Sequence, residues 1–137
     1  MIQIITGEKG EGKTKHLINM ANECVKNTSG HIIYLDNDHD HIYDLNYKIR
    51  FIETNEFPVN GFKEFFGFIC GILAQDHDIE YVYIDGLLKI TKLSLEDAHL
   101  FLEKLKKISK KYTVNFIIGL NCKNNEIPDN FKSFLIA

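Results

Sequence analysis

Short, nearly continuous apolar runs alternate along the chain with segments whose apolar residues recur at helical spacing. The runs predict five strands, at 2–5, 32–35, 49–52, 81–84 and 114–120. The helical spacings predict amphipathic helices that begin near Lys13, at Phe62 and at Ser94. Strands that are apolar throughout are typical of a parallel sheet covered on both faces. The pattern therefore predicts an α/β fold, a mainly parallel sheet between two layers of helices.

Local signals refine two of the helix ends. Ser94 and Asp97 form a capping-box pattern, which predicts a helix from this point to about Lys111. Asp129 is expected to cap a short last helix. No internal repeat or linker interrupts the alternation, so we expect one domain over residues 1–137.

Composition narrows the classes of partner and compartment. The three cysteines, Cys24, Cys70 and Cys122, are widely spaced and form no paired motif, which favours a reducing compartment and hence the cytoplasm. The formal net charge of -3 argues against a nucleic-acid partner. The longest apolar run, 65–74, is well short of the roughly 20 residues that a membrane-spanning helix needs. Neither nucleic acid nor a membrane is therefore an expected partner.

The first strand leads into a glycine-rich segment that matches the phosphate-binding pattern G-x-x-x-x-G-K-[ST]. The segment is Gly7, Glu8, Lys9, Gly10, Glu11, Gly12, Lys13 and Thr14. Glycines permit a tight loop with positive φ and a close approach of the backbone to a phosphate. Amides at the following helix N-terminus would converge on the β-phosphate. This context, strand then loop then helix, predicts a nucleotide site rather than an ordinary surface turn.

Individual side chains of this segment have distinct expected roles. Lys13 would reach the β- and γ-phosphate oxygens, and the Thr14 hydroxyl would be a Mg²⁺ ligand. The carboxylates of Glu8 and Glu11 must point away from a triphosphate, and Lys9 and Lys15 would offset their charge. The candidate nucleotide-binding residues are therefore 7–15, with ATP and Mg²⁺ as the expected ligands.

An acid follows the fourth apolar strand. The run at 81–84 ends in Asp85, which matches the Walker B pattern of four apolar residues and an acid. Asp85 would hold Mg²⁺ through a water beside Thr14; the alternative is an acid that caps the turn before Gly86. Because Gly86 and not glutamate follows, a base that activates water must lie elsewhere.

With the loop and Asp85, the segment Asp36-Asn37-Asp38-His39 resembles the RecA-like ATPase core, in which an apolar strand ends in Asp-Ala-Glu before a histidine. The resemblance covers residues 1–125 and implies the strand order 3-2-4-5-1, with the loop strand as 1. It implies that Asp38 is the base, although its side chain is one methylene shorter than glutamate, and that Asn121 senses the γ-phosphate. The alternatives are a solvated acidic loop at Asp38 and a simple turn at Asn121.

The chain is also similar to small stand-alone P-loop proteins that sometimes carry a twitching-motility (PilT-type) label. Genuine twitching and secretion ATPases have an extra N-terminal domain, and they also have acidic and histidine boxes beyond the phosphate-binding loop. We therefore infer no pilus function from this similarity.

These observations predict an ATP-binding protein with a RecA-like core that is a slow Mg²⁺-dependent ATPase. One alternative is a nucleotide-responsive interaction module that hydrolyses little. Another is a small-molecule or nucleoside kinase, which Arg50, the only arginine, disfavours because such kinases close an arginine-bearing lid. RecA-like ATPases commonly place nucleotide between subunits with a positive side chain supplied in trans, so the resemblance implies a homo-oligomer in which Arg50 is the candidate for that group. The alternatives are that Arg50 is a solvated strand residue and that the chain has an unknown protein partner. The absence of an N-K-x-D motif favours ATP over GTP.

Overall fold

The computed structural model describes residues 1–8 and 12–136. Its strands are β1 (Ile2–Thr6), β2 (His31–Asp36), β3 (Ile49–Glu53), β4 (Ile79–Ile84) and β5 (Asn115–Leu120). They form one five-stranded sheet in the order β1-β5-β4-β2-β3, and every neighbouring pair is parallel. Seen from β3, this order is 3-2-4-5-1. The predicted α/β class, parallel pairing and strand order are therefore confirmed.

Four α-helices connect these strands in the described part of the chain. They are α1 (Lys13–Asn27), α2 (Phe62–Gln75), α3 (Leu87–Thr91) and α4 (Ala98–Tyr112). Short 3₁₀ segments occupy Ile42–Asp44, Thr54–Glu56, Asn124–Glu126 and Asp129–Phe134. No helix of residues 1–8 and 12–136 combines the length and apolar character needed to cross a membrane.

Both predicted helix caps need correction. Ser94 Oγ accepts the Asp97 amide at 3.2 Å, as a capping box requires, but the turn that follows has i→i+3 bonds. The α-helix therefore begins at Ala98 and not near Ser94. At the other position, Asp129 is the first residue of a 3₁₀ segment, where its carboxylate lies 2.7 Å from Lys132 Nζ and caps no backbone amide.

The helices lie on both faces of the sheet, which gives three layers. On one face, α1 packs its buried Leu17 and Ala21 against sheet residues such as Tyr34. On the other face, α2, α3 and α4 form the larger core, where the rings of Phe65 and Phe101 stack with centroids 5.4 Å apart. Successive strand residues point to opposite faces of the sheet, and this explains why the strands are largely apolar on both faces, with polar exceptions at Gln3, Arg50 and Glu80.

The parallel arrangement brings the carboxyl ends of the strands to one edge of the sheet. Backbone hydrogen bonds join the ends of neighbouring strands there. The Gly7 amide donates to the Leu120 carbonyl at 3.2 Å, and the Asp85 amide donates to the Leu35 carbonyl at 2.9 Å. Ligands of open parallel sheets bind at this edge, so the fold places the predicted functional residues where a site is expected.

Candidate functional site

A cleft of about 570 Å³ lies at this edge, within the size range of small-molecule sites. The residues that line it come from the loop after β1, the start of α1 and the segments after β2, β4 and β5. They are Glu8, Gly12, Lys13, Thr14, Lys15, Asp36, Asn37, Asp38, His41, Asp85, Gly86, Lys89 and Asn121. Most of the predicted site residues that the structure describes therefore line one cleft.

The glycines of the loop serve different purposes. Gly12 precedes α1 with φ +80°, a conformation that side chains rarely adopt. Gly7 does not have positive φ, so that part of the prediction is wrong; a Cβ there would instead approach Lys13 Cβ to 3.1 Å. Lys9, Gly10 and Glu11 lie outside the described residues.

Lys13 is the centre of the polar network in this cleft. Its side chain is buried, and its Nζ donates a hydrogen bond to Asn121 Oδ1 and lies 3.7 Å from Asp85 Oδ1. Three residues predicted from separate parts of the sequence thus meet at one ammonium group. The network holds a buried cation and a buried anion together, as burial of either charge requires.

Asp85 is fixed from its other side by a residue that the sequence analysis missed. The hydroxyl of the buried Tyr34 donates to Asp85 Oδ2 at 3.2 Å. Burial, followed by the charges of Asp85 and Asp36, raises the pKa of this phenol, so Tyr34 remains a donor. Within the sequence, Tyr34 is indistinguishable from the other core residues of its strand.

Thr14 and Asp85 are the residues that fit a divalent cation. Both line the cleft, and they offer a hydroxyl and a carboxylate, the hard oxygen ligands that Mg²⁺ prefers. Another group of potential ligands, His31, Asp76 and Asp78, lies at the amino ends of β2 and β4, on the opposite edge of the sheet. There His31 Nδ1 is 2.7 Å from Asp76 Oδ2, which makes an ion pair without a metal.

The charged residues at the start of the loop and of α1 surround the cleft entrance. Glu8 is exposed, and its Oε1 lies 4.0 Å from Lys123 Nζ, so a lysine outside the motif partly offsets its charge. Lys15 is exposed and lines the cleft.

Two acids of the cleft lie at the carboxyl end of β2: Asp36 is its last residue, and Asp38 is in the segment that follows. Asp38 is half-buried and lines the cleft, and its Oδ1 accepts the Asp40 amide at 3.1 Å. Asp36 is buried and accepts the Asn37 amide at 2.6 Å. Burial, together with the nearby charge of Asp85, raises the pKa of Asp36 to about 7. Asp36 is therefore a second acid of the cleft, to which the sequence analysis gave no role.

Arg50 is not among the residues that line this cleft. It is exposed on β3, an edge strand, and lines a separate pocket of about 340 Å³ together with Phe51 and Ile52. Lys89 of α3, by contrast, does line the cleft, and the sequence analysis missed it because α3 is only five residues long.

Gly119 of β5 makes room for the Lys13 side chain. A Cβ at this position would lie 2.8 Å from Leu17 Cδ1 and 3.3 Å from Lys13 Cδ. We expect Gly119→Ala to lower the free energy of unfolding by about 1 kcal/mol through overpacking, measured by urea denaturation. Gly67→Ala is the matched control, since its Cβ would meet nothing within 4 Å in α2, and it should stabilise by about 0.5–1 kcal/mol. Equal stabilisation by both substitutions would contradict the close approach at Gly119.

The fold and the cleft define a three-layer α/β protein with a polar, charge-lined site at the carboxyl edge of a parallel sheet. No protein-family model matches the chain, and no curated protein sequence does so either.

Proposed function

We propose that this chain is an ATP-binding protein with a RecA-like P-loop core and that it hydrolyses ATP slowly with Mg²⁺. The observation that carries the proposal is the meeting of Lys13, Asp85 and Asn121 in one cleft directly after a G-x-x-x-x-G-K-T sequence. A glycine-rich turn without a ligand would not need its lysine buried against an acid at the end of a different strand.

The network gives each residue a role toward Mg²⁺-ATP. Lys13 would contact the β- and γ-phosphates, and Asp85 and Thr14 would hold the cation. Mg²⁺ supplies charge neutralisation of the phosphates when bound. Asn121, whose Oδ1 accepts a hydrogen bond from Lys13, would contact the terminal phosphate as its sensor.

The direct test is equilibrium binding of ATP to the wild-type chain, with and without Mg²⁺, by isothermal titration calorimetry. We expect saturable binding with Kd well below about 1 mM, which corresponds to roughly -4 kcal/mol, and tighter binding with Mg²⁺ than with EDTA. Absence of saturation at millimolar ATP in both conditions would exclude the proposal. A parallel titration with GTP tests the expected preference for ATP.

ATP hydrolysis is tested separately from ATP binding, by substitution of Asp38. A general base contributes roughly 10²–10⁴-fold, but the short side chain of Asp38 limits its reach to an in-line water. We expect Asp38→Ala to reduce phosphate release by about tenfold while ATP affinity stays unchanged. Asp40→Ala, an exposed acid of the same segment, is the control and should retain wild-type turnover.

The alternative of a nucleotide-responsive interaction module has one observation in its favour. Gly86 stands directly after Asp85, where a catalytic glutamate would be expected, and it has φ +77° as the residue that precedes α3. If the wild type and Asp38→Ala both bind ATP and neither hydrolyses it, the module replaces the ATPase.

The kinase alternative and a role of Arg50 in trans both depend on which cations can reach the bound nucleotide. Arg50 lies on β3, and the cleft-lining cations of the described residues are lysines. A contact between Arg50 and bound nucleotide therefore requires a second copy of the chain, and an oligomer remains a prediction. Transfer of phosphate to nucleosides without net ATP hydrolysis would favour the kinase.

A further inference from the structure

Lys89 is a residue of α3, a short helix that packs against the larger core. Leu87 and Ile90 are buried in the larger core, and Thr91 Oγ1 donates to the Leu87 carbonyl at 2.8 Å. With these residues directed inward, Lys89 is on the exposed side of α3, where it lines the cleft together with Asp85 and Gly86. The lysine therefore extends from a well-packed helix and has an exposed side chain at the cleft.

The charges of the cleft distinguish Lys89 from the other lysines. Lys13 is already held by Asp85 and Asn121, and Lys15 belongs to the start of α1. Lys89 comes from the opposite wall, after β4, and has neither a hydrogen bond nor an ion pair with any described residue. Within residues 1–8 and 12–136 it is a cation without a protein anion, beside a site proposed to bind a highly charged anion.

We propose that Lys89 contacts the terminal phosphate of the bound nucleotide and makes the site prefer a nucleoside triphosphate to a diphosphate. This inference rests on the proposed function. The amides at the start of α1 would serve the β-phosphate, which ATP and ADP share, and Lys13 would span the β- and γ-phosphates. A cation on the wall after Asp85 adds a contact for the third phosphate, and a lysine supplies it as a flexible point charge. Lys89 would thus supply, within one chain, a positive charge at the terminal phosphate. Arg50 is not among the residues that line the cleft.

The ratio of ATP to ADP affinity measures this role. We expect Lys89→Ala to raise the Kd for Mg²⁺-ATP by about tenfold and the Kd for Mg²⁺-ADP by less than about twofold. Lys89→Arg should keep most of the preference because it keeps the charge. Lys107→Ala removes an exposed lysine of α4 and should change neither constant. Calorimetric titrations of the four proteins, after their thermal unfolding curves have been compared, provide the data.

The outcomes separate this inference from the function on which it rests. If the wild type binds both nucleotides and Lys89→Ala leaves their affinity ratio unchanged, the role of Lys89 is overturned and the nucleotide site stands. Equal weakening of both nucleotides would also overturn it, since it would place Lys89 at the shared phosphates. If the wild type binds neither nucleotide, the proposed function fails and this inference fails with it.

Discussion

Replacement of Lys13 by alanine is expected to weaken the binding of Mg²⁺-ATP by about 30- to 1,000-fold. The estimate is the usual loss when one partner of a buried, hydrogen-bonded charge pair is removed, about 2–4 kcal/mol. Calorimetric titration of the variant measures it. Lys63→Ala, which removes an exposed lysine of α2, is the control and should bind as the wild type does.

The same substitution should also destabilise the protein without nucleotide. It leaves Asp85 buried with the Tyr34 hydroxyl as its hydrogen-bond donor and with the charge of Asp36 nearby. Uncompensated burial of a charge is costly. Lys13→Gln is therefore made in parallel, since its amide can still donate to Asn121 Oδ1, and thermal unfolding establishes that each variant is folded. A folded variant with unchanged ATP affinity would refute the central role of Lys13.

The sequence predicts much of the fold because its strands are largely apolar on both faces. Such strands must be covered on both faces, and this alone leads to the three layers that are observed. The sequence does not predict α3, and the reason is physical. Its five residues contain too little periodicity to detect, and residues with positive φ, Gly86 and Lys92, bound it at both ends. The helix exists because Leu87 and Ile90 reach the core, which is a tertiary effect.

The residues of the site also divide into those that local sequence patterns predict and those that they do not. Lys13 and Asp85 are predictable because each stands at a strand end within a recognisable pattern. The roles of Tyr34 and Asp36 depend on strand register, which no local pattern reveals. β2 and β4 pair Tyr34 with Tyr83 and Leu35 with Ile84, and continuation of this register places Asp36 beside Asp85. Two carboxylates at neighbouring strand ends are thus a consequence of pairing.

That juxtaposition makes Asp36 an acid whose ionisation destabilises the nucleotide-free protein. Burial is the larger cause, and the charges of Asp85 on β4 and Asp38 in the following loop add to it; the pKa is raised from 3.8 to about 7. Below pH 4 the carboxyl is protonated in the folded and unfolded states and contributes no difference. Between about pH 4 and pH 7 the unfolded state ionises first, so the free energy of unfolding falls as pH rises. The full shift corresponds to at most about 4 kcal/mol, and hydration from the open cleft reduces it to about 2 kcal/mol.

Asp36→Asn should therefore stabilise the protein by about 2 kcal/mol at pH 8 and have little effect near pH 4. The asparagine keeps an oxygen that can accept the Asn37 amide, so the substitution removes the charge while the hydrogen bond remains available. Urea denaturation between pH 4 and pH 8, in EDTA and without nucleotide, measures the difference. Asp40→Asn, which removes an exposed carboxylate of the same segment, should follow the wild-type slope. If Asp36→Asn has the same pH dependence as the wild type, its carboxyl is hydrated in the cleft and does not oppose folding.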